Sequence, residues 1–229
     1  MCQHCSHPTR RQLLAFGGAA ALAALAAPAL AAAVLTPDEA LQRLRDGNSR
    51  FVTAPELCAL DMQARRSEIS TQQAPWATVL GCADSRTTPE LLFGGLNLGE
   101  LFVCRNAGNT ADPATMGTIE YGAAHLGSPL IVVLAHQRCG AVSAACQVAR
   151  TGAVLEGSMG PMVDDIVAVA RGIAGEGTEL IERVARESAV QTAMRIAQSP
   201  IVAERIAAGT VKVVAAHYDL DSGQVEFLD

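Results

Sequence analysis

The sequence predicts an α/β fold: a central, mostly parallel β-sheet flanked by helices and preceded by an N-terminal helical arm. Three observations carry that expectation. The segments "WATVLGC" (76–82), "ELFVCR" (100–105) and "LIVVLAH" (130–136) are short, rich in strand-forming residues and apolar without alternation. Runs of that kind belong to strands buried on both faces, as in parallel sheets. Helical stretches separate or follow them, and strand–helix alternation is how parallel strands are connected. Lastly, "TVKVVAAHYDL" (210–220) and "QVEFL" (224–228), joined across Asp221-Ser222-Gly223, read as a closing strand or hairpin.

The chain opens on a segment unlike the rest. "PTRRQLLAFGG" places Arg10 and Arg11 just ahead of Leu13–Ala33, an alanine-rich stretch without charge. Ala29-Leu30-Ala31 and Ala31-Ala32-Ala33 offer the small-x-small pattern of a signal-peptidase site. Paired arginines before such a segment point to a twin-arginine export signal over 1–33, leaving 34–229 as the folded domain. An uncleaved membrane anchor is the alternative; the glycines, the proline and the cleavage pattern argue against it. The expected destination is the bacterial periplasm, with membrane contact only during export. Cleavage removes two arginines and no acidic residue, taking the net charge from −6 to −8.

After the leader, Thr36-Pro37-Asp38-Glu39 predicts a helix start, with Thr36 as cap, Pro37 in the first turn and Glu39 completing a capping box. Ala40, Leu41 and Leu44 supply one apolar face, and Gly47-Asn48 predicts the end. A polar, helix-prone stretch over 61–73 leads to Ala74-Pro75. Further helical stretches are expected at 88–92, 113–126 and 139–149, then over 161–198 with a break at Gly175-Glu176-Gly177. Half the residues are hydrophobic, enough for a sizeable single core. Sixteen arginines and one lysine form no basic block, so nucleic acid is not an expected partner.

Of seven cysteines, Cys2 and Cys5, with His4 and His7, precede the leader and would leave with it. Export to an oxidising compartment favours disulfides, yet the remaining Cys58, Cys82, Cys104, Cys139 and Cys146 are odd in number and widely scattered. Cys104 within a strand and Cys146 within a helix read as core residues, and Cys58 lies in a loop. His125 and His217 suit solvated or structural roles.

Cys82 and His136 each end an apolar run, where ligand sites of open α/β sheets gather. Cys139 follows His136 by three residues, at the start of the next helix. The H-x-x-C spacing lets an imidazole and a thiolate converge. With Cys82 they make an S₂N set with one position open, the arrangement of a catalytic zinc site. Residues alone leave alternatives: a Cys82–Cys139 disulfide, buried apolar thiols, a satisfied core histidine, and Asp84–Arg86 as an ordinary ion pair.

"CADSR" (82–86), "LFVCRNAGN" (101–109), "GTIEYGAAHLG" (117–127), "HQRCGAV" (136–142) and "HYDLDSGQVEFL" (217–228) together resemble the β-class carbonic anhydrases, over 36–229. The resemblance implies a β-carbonic anhydrase-like catalytic domain with one zinc ion per chain on Cys82, His136 and Cys139. It implies reversible hydration of carbon dioxide to bicarbonate and a proton by a zinc-bound hydroxide. Asp84, paired with Arg86, orients that hydroxide, or ligates the zinc itself in a closed, inactive state. Arg105 and the backbone of Ala107-Gly108-Asn109 shape the cleft, while Glu120 and Tyr121 serve architecture. A homodimer or larger homo-oligomer follows, with the cleft lined by both subunits and N-terminal helices laid across the partner. Ala83 departs from the usual serine, and Gln137-Arg138 from the usual small polar residue. Val79 stands where some members carry the tryptophan of an inhibitory bicarbonate pocket, so that pocket is not expected, although Arg105 and Tyr218 match it. Two other readings share the scaffold: a carbon disulfide or carbonyl sulfide hydrolase, and a non-catalytic zinc- or bicarbonate-binding relative. Retention of Asp84 and Arg86 argues against the second.

Overall fold

The computed structural model describes residues 35–54 and 62–228. The expected leader, Cys2, Cys5 and Cys58 lie outside the described residues. Strands β1 (Ala77–Cys82), β2 (Leu101–Asn106), β3 (Leu130–His136), β4 (Lys212–Tyr218) and β5 (Val225–Leu228) form one sheet in the order β2-β1-β3-β4-β5. Neighbours pair in parallel except β4 with β5. Helices α1 (Pro37–Thr53), α2 (Met62–Glu68), α3 (Pro89–Leu92), α4 (Pro113–His125), α5 (Gly140–Thr151), α6 (Met159–Gly172), α7 (Gly177–Ala197) and α8 (Pro200–Ala207) complete the described chain.

Every residue of β1 and β3 is buried, which is why these strands read as unbroken apolar runs. Alternate side chains go to opposite layers. Leu80, Ile131, Val133 and Ala135 pack with Ile119 of α4, Ala189 and Ile196 of α7 and Val202 of α8. Val79, Leu130, Val132 and Leu134 pack instead with Ala40, Leu41 and Leu44 of α1 and with Leu92 and Phe93. A third cluster joins α5, α6 and α7 beside Cys82 and Cys139. Among the described residues no helix is long and apolar enough to cross a membrane.

Helix α1 begins as its sequence dictates. The Glu39 N–H donates to Thr36 Oγ1 at 3.3 Å, and the Thr36 N–H donates back to Glu39 Oε2 at 2.8 Å. The expected stop at Gly47-Asn48 is wrong, because the helix continues to Thr53. Gly47 is there for a close approach: a Cβ on it would stand 2.1 Å from the Phe93 carbonyl oxygen. Asn48 is 6% exposed and serves as a cross-link. Its amide donates to the carbonyls of Leu92 (3.1 Å) and Gly223 (2.9 Å), and its oxygen accepts the Val225 N–H (2.8 Å). Residues that punctuate an isolated helix act here as tertiary contacts. Helix α8 was not expected; Ser199-Pro200, a cap-like residue before a first-turn proline, is its sequence signal.

The strand order decides where a site can form. From β1 the chain goes to β2 on one side, then returns to β3 on the other. The connections on the two sides of β1 therefore diverge and leave a crevice beyond its carboxyl end, the switch point of an open α/β sheet. Gly81 lies opposite Leu134, so Cys82 and His136 emerge at the same rim of the sheet.

Candidate metal centre

Three buried side chains meet at that crevice. Cys82 ends β1, His136 ends β3, and Cys139 is the N-cap residue of α5, with no side-chain capping bond to occupy its thiol. Their ligand atoms all lie within 4.8 Å of one another. The two sulfurs are 3.9 Å apart, and the four cysteines among the described residues are free thiols, so Cys82 and Cys139 are not disulfide-bonded here. The turn between His136 and Cys139 places Arg138 in the left-handed region at φ 54°, which bends the chain from strand to helix within two residues.

The ring of His136 is fixed from one side. Its Nδ1 lies 2.9 Å from the Gln137 carbonyl oxygen, which can only accept, so Nδ1 carries the hydrogen. Nε2 then presents a lone pair, is buried, and has no hydrogen-bond partner. A buried nitrogen without a partner costs free energy unless something else satisfies it. Two thiols and this bare nitrogen are the donors that a tetrahedral zinc ion takes.

Cys139 holds the Cys82 thiol far below its ordinary value, to about 4, and the Gly108 N–H (3.4 Å from Sγ) acts in the same direction against burial. Cys139 is pushed up by the same contact and by burial. The two thiols titrate as a pair, and their contact favours loss of one proton shared between them. A site with a thiolate already formed has fewer protons to release when it takes a metal. Gly108 itself is at φ 88°, and an added Cβ would meet Ile166 at 2.6 Å, so only glycine brings that N–H to the sulfur.

Asp84 and Arg86 follow in the loop after β1. The Arg86 N–H donates to Asp84 Oδ1 at 3.0 Å, while its Nε reaches Oδ1 at 2.8 Å and Nη2 reaches Oδ2 at 2.7 Å. The two-residue step is what allows one residue to engage the carboxylate through both main chain and side chain. The Arg86 guanidinium holds the Asp84 carboxyl well below the ordinary 3.8, against the effect of burial. Asp84 Oδ2 stands 3.9 Å from His136 Nε2, beside the three donors. Arg105, on edge strand β2, braces this loop by donating Nε to the Cys82 carbonyl (2.9 Å) and Nη2 to the Asp84 carbonyl (2.7 Å).

The other singled-out residues lie elsewhere. Cys104 is buried in another core cluster, while Cys146 shares the cluster of Cys82 and Cys139 without joining their converging donors; desolvation raises both thiols, Cys104 to about 11. His217 is buried with Nε2 2.9 Å from Glu182 Oε1, although not in hydrogen-bonding geometry. His125 closes α4 and stacks on Tyr121, with ring centroids 5.2 Å apart. Glu120 accepts the Ser199 hydroxyl at 2.5 Å and ties α4 to the start of α8. Val79 is core, with no indole in its place. The orienting carbonyl of Gln137 escaped the sequence reading, because every residue carries such a group.

A family profile described as carbonic anhydrase matches residues 77–225. Carbonic anhydrase 2 of Mycobacterium tuberculosis is 34% identical over 194 residues, covering 84% of this chain and 93% of its own. The carbonic anhydrase of Mycolicibacterium smegmatis is 37% identical over 194 residues, covering 83% and 92%. Among solved structures, a tetrameric β-carbonic anhydrase of Sordaria macrospora superposes with a TM-score of 0.65 at 25% identity, over 72% of this chain and 87% of that one. The β-carbonic anhydrase of Coccomyxa, in complex with acetazolamide, gives 0.62 at 27% identity, over 72% and 77%.

Proposed function

The chain belongs to the β-class carbonic anhydrases, and from that premise we propose that Cys82, His136 and Cys139 hold its zinc ion while Asp84, restrained by Arg86, orients water for the hydration of carbon dioxide. The enzyme interconverts carbon dioxide and bicarbonate, and zinc is its cofactor. One observation carries the assignment of ligands: a buried His136 Nε2 without a partner, within 4.8 Å of two buried thiols. When bound there, zinc supplies a Lewis acid that lowers the pKa of water, to about 7 in the three-histidine carbonic anhydrase site and less far beside two thiolates. Asp84 is ionised at neutral pH and can accept an O–H on the open side of the centre, which holds the oxygen lone pair toward the carbon of carbon dioxide. Arg86 keeps that carboxylate charged and turned, and Arg105 fixes the loop that carries it. The family matches favour carbon dioxide over carbon disulfide and carbonyl sulfide.

Stopped-flow hydration of carbon dioxide by protein of measured zinc content tests this reading. The rate should scale with zinc up to one ion per chain, and the absence of activity above pH 8 at that loading would overturn it. Cys82→Ser should lose most of the metal, read by elemental analysis.

The same reading extends to the rest of the chain. Arg10-Arg11 ahead of an uncharged segment supports residues 1–33 as a twin-arginine leader and a periplasmic destination. N-terminal sequencing of exported protein should begin within a few residues of Ala31, and replacing both arginines with lysine should retain the protein inside. A homodimer is the smallest assembly proposed. Its support is a tetrameric relative and the edge position of strand β2, together with the half-exposed Tyr121 of α4 that packs against Phe102 of β2.

A further inference from the structure

The carbonyl that sets His136 belongs to Gln137, and Gln137 is held largely by a distant part of the chain. Its N–H donates to the Tyr218 carbonyl (2.9 Å), and its side-chain Oε1 accepts the Leu220 N–H (3.3 Å). Arg138 follows in the left-handed region, a conformation unfavourable for a residue with a Cβ. Its guanidinium forks the Asp221 carboxylate, with Nη1 to Oδ2 and Nη2 to Oδ1 both at 2.8 Å. All these partners lie at the end of β4 or in the turn between β4 and β5.

That turn is itself braced. Asp219 Oδ1 accepts the N–H groups of Asp221 (2.9 Å) and Ser222 (2.8 Å), and the Asp219 N–H donates to the Gln224 carbonyl (2.9 Å). Buried Asn48 of α1 pins its far end through Gly223 and Val225. A continuous set of bonds thus runs from α1 through the turn to the Gln137 peptide and onto the imidazole. Exposed ion pairs contribute little to stability as a rule. This one joins segments 83 residues apart by two parallel bonds, so its effect is on direction.

We propose that the β4–β5 turn is a strap that aims His136. Gln137, Arg138 and Asp221 are positioning residues that set the Gln137 carbonyl, through it the Nδ1–H tautomer of His136, and so the direction of the Nε2 lone pair. The inference rests on the reading of Cys82, His136 and Cys139 as zinc ligands. It also gives a purpose to Gln137-Arg138, the dipeptide by which this chain departs from the usual pattern after the histidine.

The test uses Asp221→Ala, Arg138→Gly, which leaves the left-handed backbone easy to form, and the exchange of Arg138→Asp with Asp221→Arg. Zinc affinity is measured by chelator competition. The His136 tautomer is read separately in the metal-free proteins by ¹⁵N NMR of labelled histidine. Each single variant should bind zinc about 10-fold more weakly or worse and show a mixed His136 tautomer, and the exchange should recover most of both losses. Parental affinity in the single variants would overturn the strap, as would weakened affinity with an unchanged tautomer, or no recovery on exchange. If the parent protein itself bound no zinc, the ligand assignment would fall, while the tautomer measurement would still decide whether the strap aims the ring.

Discussion

At the scale of single residues, the site is built by spacing. Asp84 and Arg86 stand two apart, so one arginine engages the carboxylate with both its main-chain N–H and its guanidinium. The folded carboxyl is held below its ordinary 3.8. The pair's stabilisation is therefore present above that value and is lost only as pH falls beneath it. Asp84→Asn should keep zinc and lower the hydration rate by about 10²-fold or more. The factor should be the same from pH 6 to 9, because Asp84 is charged throughout; full activity would remove Asp84 from the mechanism. Cys104 shows the opposite shift, raised by burial from 9.0 to about 11. Folding keeps that thiol protonated, so its contribution is whole below pH 9 and is lost as pH rises toward 11. Urea unfolding across pH 8 to 10 should show stability falling by up to about 1.4 kcal/mol per pH unit for this group, and Cys104→Val should flatten that part of the slope. The five side chains of the site were legible in the sequence because their chemistry is particular to their residue types. The Gln137 carbonyl was not, and the Gly108 backbone was marked only through the family resemblance, since only the folded backbone says which of many identical groups faces a ligand.

At the scale of elements, burial on both faces made β1 and β3 readable, and the capping box made the start of α1 readable. Local rules failed where a tertiary contact used the same residue for another purpose. Glycine inside a helix is unfavourable relative to alanine by about 0.5–1 kcal/mol, so Gly47→Ala would stabilise an isolated α1. In the folded protein the added methyl would meet the Phe93 carbonyl at 2.1 Å, and α1 would have to lift from α3. Gly47→Ala should therefore destabilise the protein by about 1–3 kcal/mol in urea unfolding. A stabilising result would show that the α1–α3 approach is looser than this. Asn48 belongs to the same lesson: its polar side chain reads as a helix stop, yet it joins α1 to Leu92 and to the β4–β5 turn.

At the scale of the whole molecule, function depends on the strand order. Placing β1 between β2 and β3 opens the crevice at which Cys82 and His136 emerge, and α5 then brings Cys139 back to it. Among the described residues edge strand β2 has no partner strand on its outer side, a feature that proteins cover or pair. Light scattering after size exclusion of the protein should give a mass of at least two chains, and a stable, active single chain would refute the proposed dimer. By itself the sequence determined the α/β class, the buried central strands and the family, and it singled out Cys82, His136 and Cys139, which the fold brings together. Each of these follows from residue type, periodicity or close spacing along the chain. Only the tertiary structure decided that 54 residues of separation between Cys82 and His136 close to a few ångströms, that Gly47 and Asn48 continue their helix, and that a distant turn holds the Gln137 peptide. Those outcomes depend on strand register and on backbone groups common to every residue, which take on identity only once the chain has packed.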